Sequence, residues 1–352
     1  MKVLSVVGAR PQFVKLAPIA HALAPAHEHV VVHTGQHYDE LMSDVFFRDL
    51  GIAAPDVNLA VGSGAHGAQT AAMLAGLEPI FEQQRPDWVL VYGDTNSTLA
   101  AAVAAVKLHL PLAHLEAGLR SFNRRMPEEH NRVLTDHAAD LCLAPTAVAM
   151  GHLADEGLAD RAVLVGDVMT DVLYQVRDRV RAAPPALPWE GPTGIVATIH
   201  RAENTDDPKR LRAIVDALAE LDRPVRLLAH PRLLAVAARE GIALDRGAVT
   251  ATAPLPYPDL IAAVLSSSGV VTDSGGLQKE AYLLRRMCTT VRTETEWVET
   301  VDAGWNVIAG DRLDELAALV ARPIAPEPTD NPYGDGHAAQ AVVDTLAERT
   351  AR

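Results

Sequence analysis

The chain has 352 residues, 49% hydrophobic and 22% charged, which is ordinary globular composition and enough length for two domains, each with a full core. A formal net charge of −14 argues against non-specific nucleic-acid binding, which needs a basic face, yet leaves room for a local anion site. Cys142 and Cys288 sit in apolar runs as small hydrophobes. With no basic leader and no apolar stretch of bilayer length, a soluble cytoplasmic protein without membrane partners is expected.

In chain order, residues 3–7 read as a buried strand and 14–23 carry apolar residues at helical spacing. Strands are predicted at 30–33, 87–92, 112–115 and 141–144, with an Ala-rich helix at about 97–108. The run Ala182-Ala183-Pro184-Pro185-Ala186-Leu187-Pro188-Trp189 cannot continue a helix. The alternation then restarts, with strands at 194–198, 225–229 and 270–272, helices at 211–221 and 260–265, and a last helix at about 338–349. Continuous apolar strands separated by helices predict parallel sheets covered on both faces. The fold class is α/β: two Rossmann-like domains facing a central cleft. Residues 1–178 form the first domain, 179–193 the linker, and 194–336 the second domain. Residues 337–352 form a terminal helix expected to pack back on the first domain.

Ligands of such sheets bind outside the carboxyl ends of the strands, and polar residues cluster there. In Thr272-Asp273-Ser274-Gly275-Gly276-Leu277-Gln278-Lys279-Glu280 a strand runs into a helix. Unpaired N–H groups of a first helical turn make an anion seat; the glycines permit close approach, Ser274 adds a hydroxyl, and Glu280 lies where it could hold neutral hydroxyls. Ser274 reads equally as a plain N-cap with the glycines forming a tight turn. A second strand-to-helix turn, Gly8-Ala9-Arg10-Pro11-Gln12-Phe13-Val14-Lys15, places Arg10 and Lys15 around a helix start, where a cation is disfavoured and hints at a bound anion, although taken alone the two read better as a solvated surface pair. Neither a Walker A motif nor G-x-G-x-x-G is present, so no NTPase or ordinary dinucleotide site is supported.

Three acids follow strands or lie in the loops beyond them: Asp94, Glu116 and Glu128. His200 follows the first strand of the second half. Carboxylates crowded in one partly dry crevice can give and take protons near neutral pH. Asp94 alone also suits an N-cap, whereas a Glu directly after a buried strand has no capping preference. His33 and His37 are four apart but do not sit on a helix, and HExxH, Cys/His clusters and G-x-S-x-G are all missing. Neither a metal nor a serine hydrolase elbow is expected.

Taken in order, Gly8-Ala9-Arg10-Pro11, Gln36-His37, Gly93-Asp94-Thr95, Glu116-Ala117-Gly118-Leu119-Arg120, Pro127-Glu128-Glu129, Asn131-Arg132, His200-Arg201, Thr272-Asp273-Ser274-Gly275-Gly276, Gln278, Glu280 and Asn331-Pro332-Tyr333-Gly334-Asp335-Gly336 resemble the non-hydrolysing UDP-N-acetylglucosamine 2-epimerases of glycosyltransferase-B fold, nearly end to end. The resemblance implies a UDP-sugar substrate, no added cofactor, and usually a homodimer. It also implies a reaction in which the C2 proton is removed, UDP leaves C1 to give a 2-acetamidoglucal, and both return. By that resemblance Asp94, Glu116, Glu128 and His200 are the catalytic set, and Arg10, Lys15, Ser274, Gly276 and Glu280 are nucleotide contacts. Arg132, Arg201, His230, Gly275 and Arg292 complete the substrate and UDP candidates. The chain departs from many members at Gln12, where they carry Glu, and at Thr295-Glu296-Trp297-Val298-Glu299, where they read Thr-Glu-Arg-Pro-Glu. With Gly62-Ser63-Gly64-Ala65-His66-Gly67, this resembles a branch that includes epimerases of diacetamido-uronic acid sugars. Alternatives are the same chemistry on such a UDP-2,3-diacetamido-uronate, a hydrolysing 2-epimerase that releases UDP, and a glycosyltransferase.

Overall fold

The computed structural model describes residues 1–36, 51–329 and 331–351; His37 and the side chain of Arg10 lie outside that description. The chain divides into two compact units, Met1–Tyr174 with Asn331–Arg352, and Gln175–Asp330.

The first unit is built on a parallel seven-stranded sheet in the order β3-β2-β1-β4-β5-β6-β7. Its strands are β1 (Lys2–Val7), β2 (Glu28–His33), β3 (Val57–Asn58), β4 (Trp88–Tyr92), β5 (Leu112–Leu115), β6 (Leu141–Ala144) and β7 (Ala162–Leu164). The central strands are buried throughout, which is why they read as unbroken apolar runs. Helices α1 (Arg10–Leu23), α2 (His66–Gln84), α3 (Asn96–Lys107), α4 (Pro127–Ala138) and α5 (Ala147–Asp155) follow in chain order. In α3 a row of fully buried alanines contacts the sheet, and Thr95 caps the helix by accepting the Thr98 N–H. Helix α6 (Val168–Ala182) contains the boundary between the units, and an irregular, proline-rich stretch follows it.

The second unit repeats the plan with six parallel strands in the order β10-β9-β8-β11-β12-β13. These are β8 (Ile195–Thr198), β9 (Val225–Leu228), β10 (Val249–Thr252), β11 (Gly269–Thr272), β12 (Cys288–Thr290) and β13 (Asn306–Ile308). Its helices include α7 (Ala202–Thr205), α8 (Pro208–Ala219), α9 (Pro231–Arg239), α10 (Tyr257–Ser266), α11 (Gly275–Leu283), α12 (Val298–Asp302) and α13 (Leu316–Val320).

Both sheets reverse strand order next to their first strand, between β1 and β4 and between β8 and β11. In doubly wound sheets the crevice at such a reversal is the ligand site.

The last helix, α14 (Ala338–Thr350), belongs to the first unit. Val342, Val343 and Leu346 join that unit's core beside α1, and Trp88 Nε1 donates to Thr350 Oγ1 at 2.8 Å. Asp171 receives the first N–H groups of α14, from Ala338 at 3.0 Å and Ala339 at 2.8 Å. No helix among the described residues is long and apolar enough to cross a membrane.

Candidate active site

In the first unit, β4 and β5 pair with Tyr92 opposite Leu115, so Asp94 and Glu116 leave the sheet side by side at its carboxyl edge. Glu116 takes a left-handed backbone, φ +70°, a conformation that costs a non-glycine residue free energy. Its carboxylate forms an ion pair with Lys15, reached from α1. Burial works against the Lys15 charge, but Glu116 foremost, then Asp94 and Asp167, outweigh it and raise the ammonium above its ordinary range. Asp94 forms an ion pair with Arg132, and Asn131 Nδ2 donates to the Asp94 carbonyl at 2.9 Å. Arg132 also reaches Glu129 at 3.0 Å.

The adjacent glutamates divide their roles. Glu129 is buried and accepts from Ser121 N, Ser121 Oγ and Phe122 N, which fastens the loop between Glu116 and α4. Glu128 is exposed in the first turn of α4, three and four residues before Asn131 and Arg132, and so shares a face with the side chains that touch Asp94. Gln12 is buried: its Oε1 accepts from Gly8 N and Ala9 N, and its Nε2 donates to Tyr92 O at 2.8 Å. That last bond needs an N–H, so an ionised Glu could not make it here.

In the second unit, a cavity of about 350 Å³ opens at the reversal between β8 and β11; its wall includes Thr198, His200, His230, Tyr257, Ser274, Gly276 and Glu280. Asp273, fully buried, joins the two strand ends: it accepts from His200 N at 3.0 Å, Arg201 N at 2.9 Å and Asn204 Nδ2 at 3.0 Å, and pairs with His200 Nδ1 at 3.2 Å. Burial lowers the His200 pKa against the opposing pull of Asp273, so the neutral imidazole is favoured near pH 7. Its ring centre stands 6.1 Å from that of His230.

Ser274 caps α11 by accepting from Leu277 N, and it also lines the cavity. The two glycines behind it differ. A Cβ on Gly275 would collide with the Glu296 carboxylate, whereas one on Gly276 meets nothing within 4 Å. Glu280 receives the Tyr257 hydroxyl hydrogen at 2.8 Å, and burial pushes its carboxyl up to about 7. Arg292 does not line the cavity: it is held by Glu296 at 2.8 Å and Glu203 at 3.4 Å. Arg201 points to Glu296 as well, at 3.9 Å, and Trp297 lies under the Lys279 ammonium, 4.4 Å from its ring centre.

The structure thus brings Asp94, Glu116, Lys15 and Arg132 into one cluster of the first unit. It gathers His200, His230, Ser274, Gly276 and Glu280 around one cavity of the second. Asp273 and Tyr257 organise that cavity without having been singled out from sequence. Asp273 carried a signal, as an acid at a strand end; Tyr257 carried none, since its partner lies 23 residues away.

Two doubly wound α/β units, one with clustered acids at its strand ends and one with a cavity beside a helix N-terminus, place the chain in the Rossmann-like α/β class. A family profile described as UDP-N-acetylglucosamine 2-epimerase matches residues 21–347, and the chain belongs to that family of isomerases. It is 44% identical to UDP-2,3-diacetamido-2,3-dideoxy-D-glucuronate 2-epimerase of Pseudomonas aeruginosa, over 99% of this chain and 100% of the relative. It is 36% identical to UDP-N-acetylglucosamine 2-epimerase of Methanocaldococcus jannaschii, over 98% and 99% of the two chains. The crystal structure of a Methanocaldococcus jannaschii UDP-GlcNAc 2-epimerase with UDP-GlcNAc and UDP superposes with a TM-score of 0.80 at 34% identity, covering 99% of this chain and 100% of the other.

Proposed function

We propose that the protein interconverts C2 epimers of a UDP-2-acetamido sugar by eliminating and re-adding UDP. The observation that carries this reading is the cluster of Asp94 and Glu116 at adjacent strand ends, in a chain of this family. In this reading a carboxylate removes the C2 proton, UDP departs from C1, and the 2-acetamidoglucal is protonated on its other face before UDP returns. Asp94, Glu116 and Glu128 are the proton-transfer groups, with Lys15 and Arg132 holding the first two in place. His200 is neutral near pH 7 and so able to accept a proton.

In the second unit, the N–H groups opening α11 seat the diphosphate, Gly276 leaves room for its approach, and Glu280 takes the ribose hydroxyls. Arg10 is assigned to the nucleotide on resemblance. A homodimer and a cytoplasmic location go with this reading, and light scattering measures the former.

The test is proton NMR of UDP-GlcNAc in deuterated buffer. Exchange of the C2 hydrogen is expected with UDP retained on the sugar; turnover with the C2 hydrogen kept rules the mechanism out. The 44% identity to the Pseudomonas aeruginosa enzyme favours a second reading that changes only the sugar, to a UDP-2,3-diacetamido-uronate. A panel of the two UDP-sugars, ranked by kcat/KM, decides between them.

A further inference from the structure

Behind the acids lies a buried charged cluster that the proposed chemistry leaves unused. His114 stands on β5 two residues before Glu116 and is wholly inaccessible. Its Nε2 lies 2.7 Å from the Gly93 carbonyl oxygen and its Nδ1 lies 2.6 Å from Asp136 Oδ1. A carbonyl oxygen only accepts, so Nε2 carries a hydrogen. Asp136, from α4, is equally buried, and its Oδ2 accepts from Gly118 N at 3.0 Å and from Arg120 Nη1 at 2.7 Å. Burial opposes ionisation of Asp136, but His114 and Arg120 outweigh it and hold the carboxyl below its ordinary range. Facing a carboxylate, Nδ1 donates as well. Both ring nitrogens are therefore donors in charge-assisted bonds.

These bonds end on the backbone that carries the two acids. The Gly93 carbonyl belongs to the peptide that leads into Asp94, and Gly93 itself sits at φ +60°. Glu116 sits at φ +70°, and the turn after it is tied at Gly118 N by Asp136. A non-glycine residue held left-handed, as Glu116 is, persists only where its surroundings over-determine it.

We propose that His114 is a positioning residue for both acids. Its Nε2–H fixes the peptide from which Asp94 leaves β4. Its Nδ1–H fixes Asp136, which holds the turn that aims Glu116. His114 touches no substrate. The role rests on the reading of Asp94 and Glu116 as proton-transfer groups.

The test compares H114A, H114Q and D136N with the parent in the full chain. Because small misplacements of reacting groups are costly, H114A is expected to lower kcat for C2 exchange by roughly 10- to 100-fold. KM and the Kd for UDP should stay within about twofold, since binding in the second unit is untouched. H114Q, which keeps one side-chain N–H for Gly93, should recover part of the rate. D136N, which leaves the Gly93 bond in place, should stay above H114A. Nitrogen-15 spectra of histidine-labelled parent should show a hydrogen on each His114 ring nitrogen, as the two contacts require, and a bare ring nitrogen overturns the arrangement. A parent that exchanges while H114A keeps its kcat, or while H114Q is no better than H114A, overturns the positioning role alone. Loss of UDP affinity in step with kcat in H114Q overturns it too and marks His114 as a residue of folding. A parent that exchanges no C2 hydrogen on any UDP-sugar overturns the reading beneath it and the role together.

Discussion

Glu280 shows how one side chain couples recognition to pH. Burial raises its carboxyl from 4.5 to about 7 despite the hydrogen bond from Tyr257. A raised folded-state value means the ligand-free fold binds this proton more readily than the unfolded chain. The contribution to stability is complete below about pH 4.5 and is lost as pH rises through 7, a change on the order of 3 kcal/mol at most. The melting temperature of the ligand-free protein should therefore fall between pH 5 and 8, and E280Q should flatten that slope; an unchanged slope in E280Q places the titration elsewhere. Glu116 calls for a different measurement. E116Q should bind UDP almost as the parent does, since the cavity of the second unit is intact, yet lose C2 exchange; retained exchange removes Glu116 from the proton-transfer set. Asp94, Glu116 and Ser274 were legible because each follows a strand or opens a helix, and Glu280 because it lies about one turn beyond Ser274. The pairing of Tyr257 with Glu280, and of His114 with Asp136, was not, because those contacts join different elements.

At the level of elements, the start of α11 carries two glycines that sequence treats alike and the fold does not. Gly275 is constrained by the protein itself: a methyl there displaces the Glu296 carboxylate, which pairs with Arg292, so G275A should destabilise the second unit by about 1 kcal/mol, read from denaturant unfolding. Gly276 faces open space. G276A should keep the parent's melting temperature and weaken UDP binding in calorimetry; undiminished binding argues that the diphosphate does not approach this turn. Ser274 as N-cap supports the same turn, worth about 1 kcal/mol. The strand and helix alternation around these sites was readable from apolar runs and periodicity. Strands β3, β7, β10, β12 and β13 were missed because runs of two to four residues show no clear periodicity, and such strands form only where a neighbouring strand offers its edge.

For the molecule as a whole, α14 is the element whose removal should be most telling. It contributes Ala338, Ala339, Val342, Val343 and Leu346 to the first unit, although the whole of the other unit, Gln175–Asp330, intervenes in the chain after Tyr174. At about 1.5–3 kcal/mol for each large buried side chain, truncation after His337 should cost the first unit several kcal/mol. Exchange activity should disappear while the second unit keeps part of the UDP affinity; full activity in the truncated protein contradicts this placement.

By itself the sequence determined two doubly wound units, the strand ends where polar residues collect, and a family resemblance strong enough to name the chemistry. Those features are local, written in short apolar runs, helical spacing and short motifs. Only the tertiary structure decided which strand-end acids meet, which glycine stands open to a ligand, and which glutamate of Glu128-Glu129 ties down a loop. It also decided that His114 lies under Gly93. The physical reason is that each of these is a hydrogen bond or a steric limit between atoms that chain folding brings together, and no local pattern encodes the distance between them.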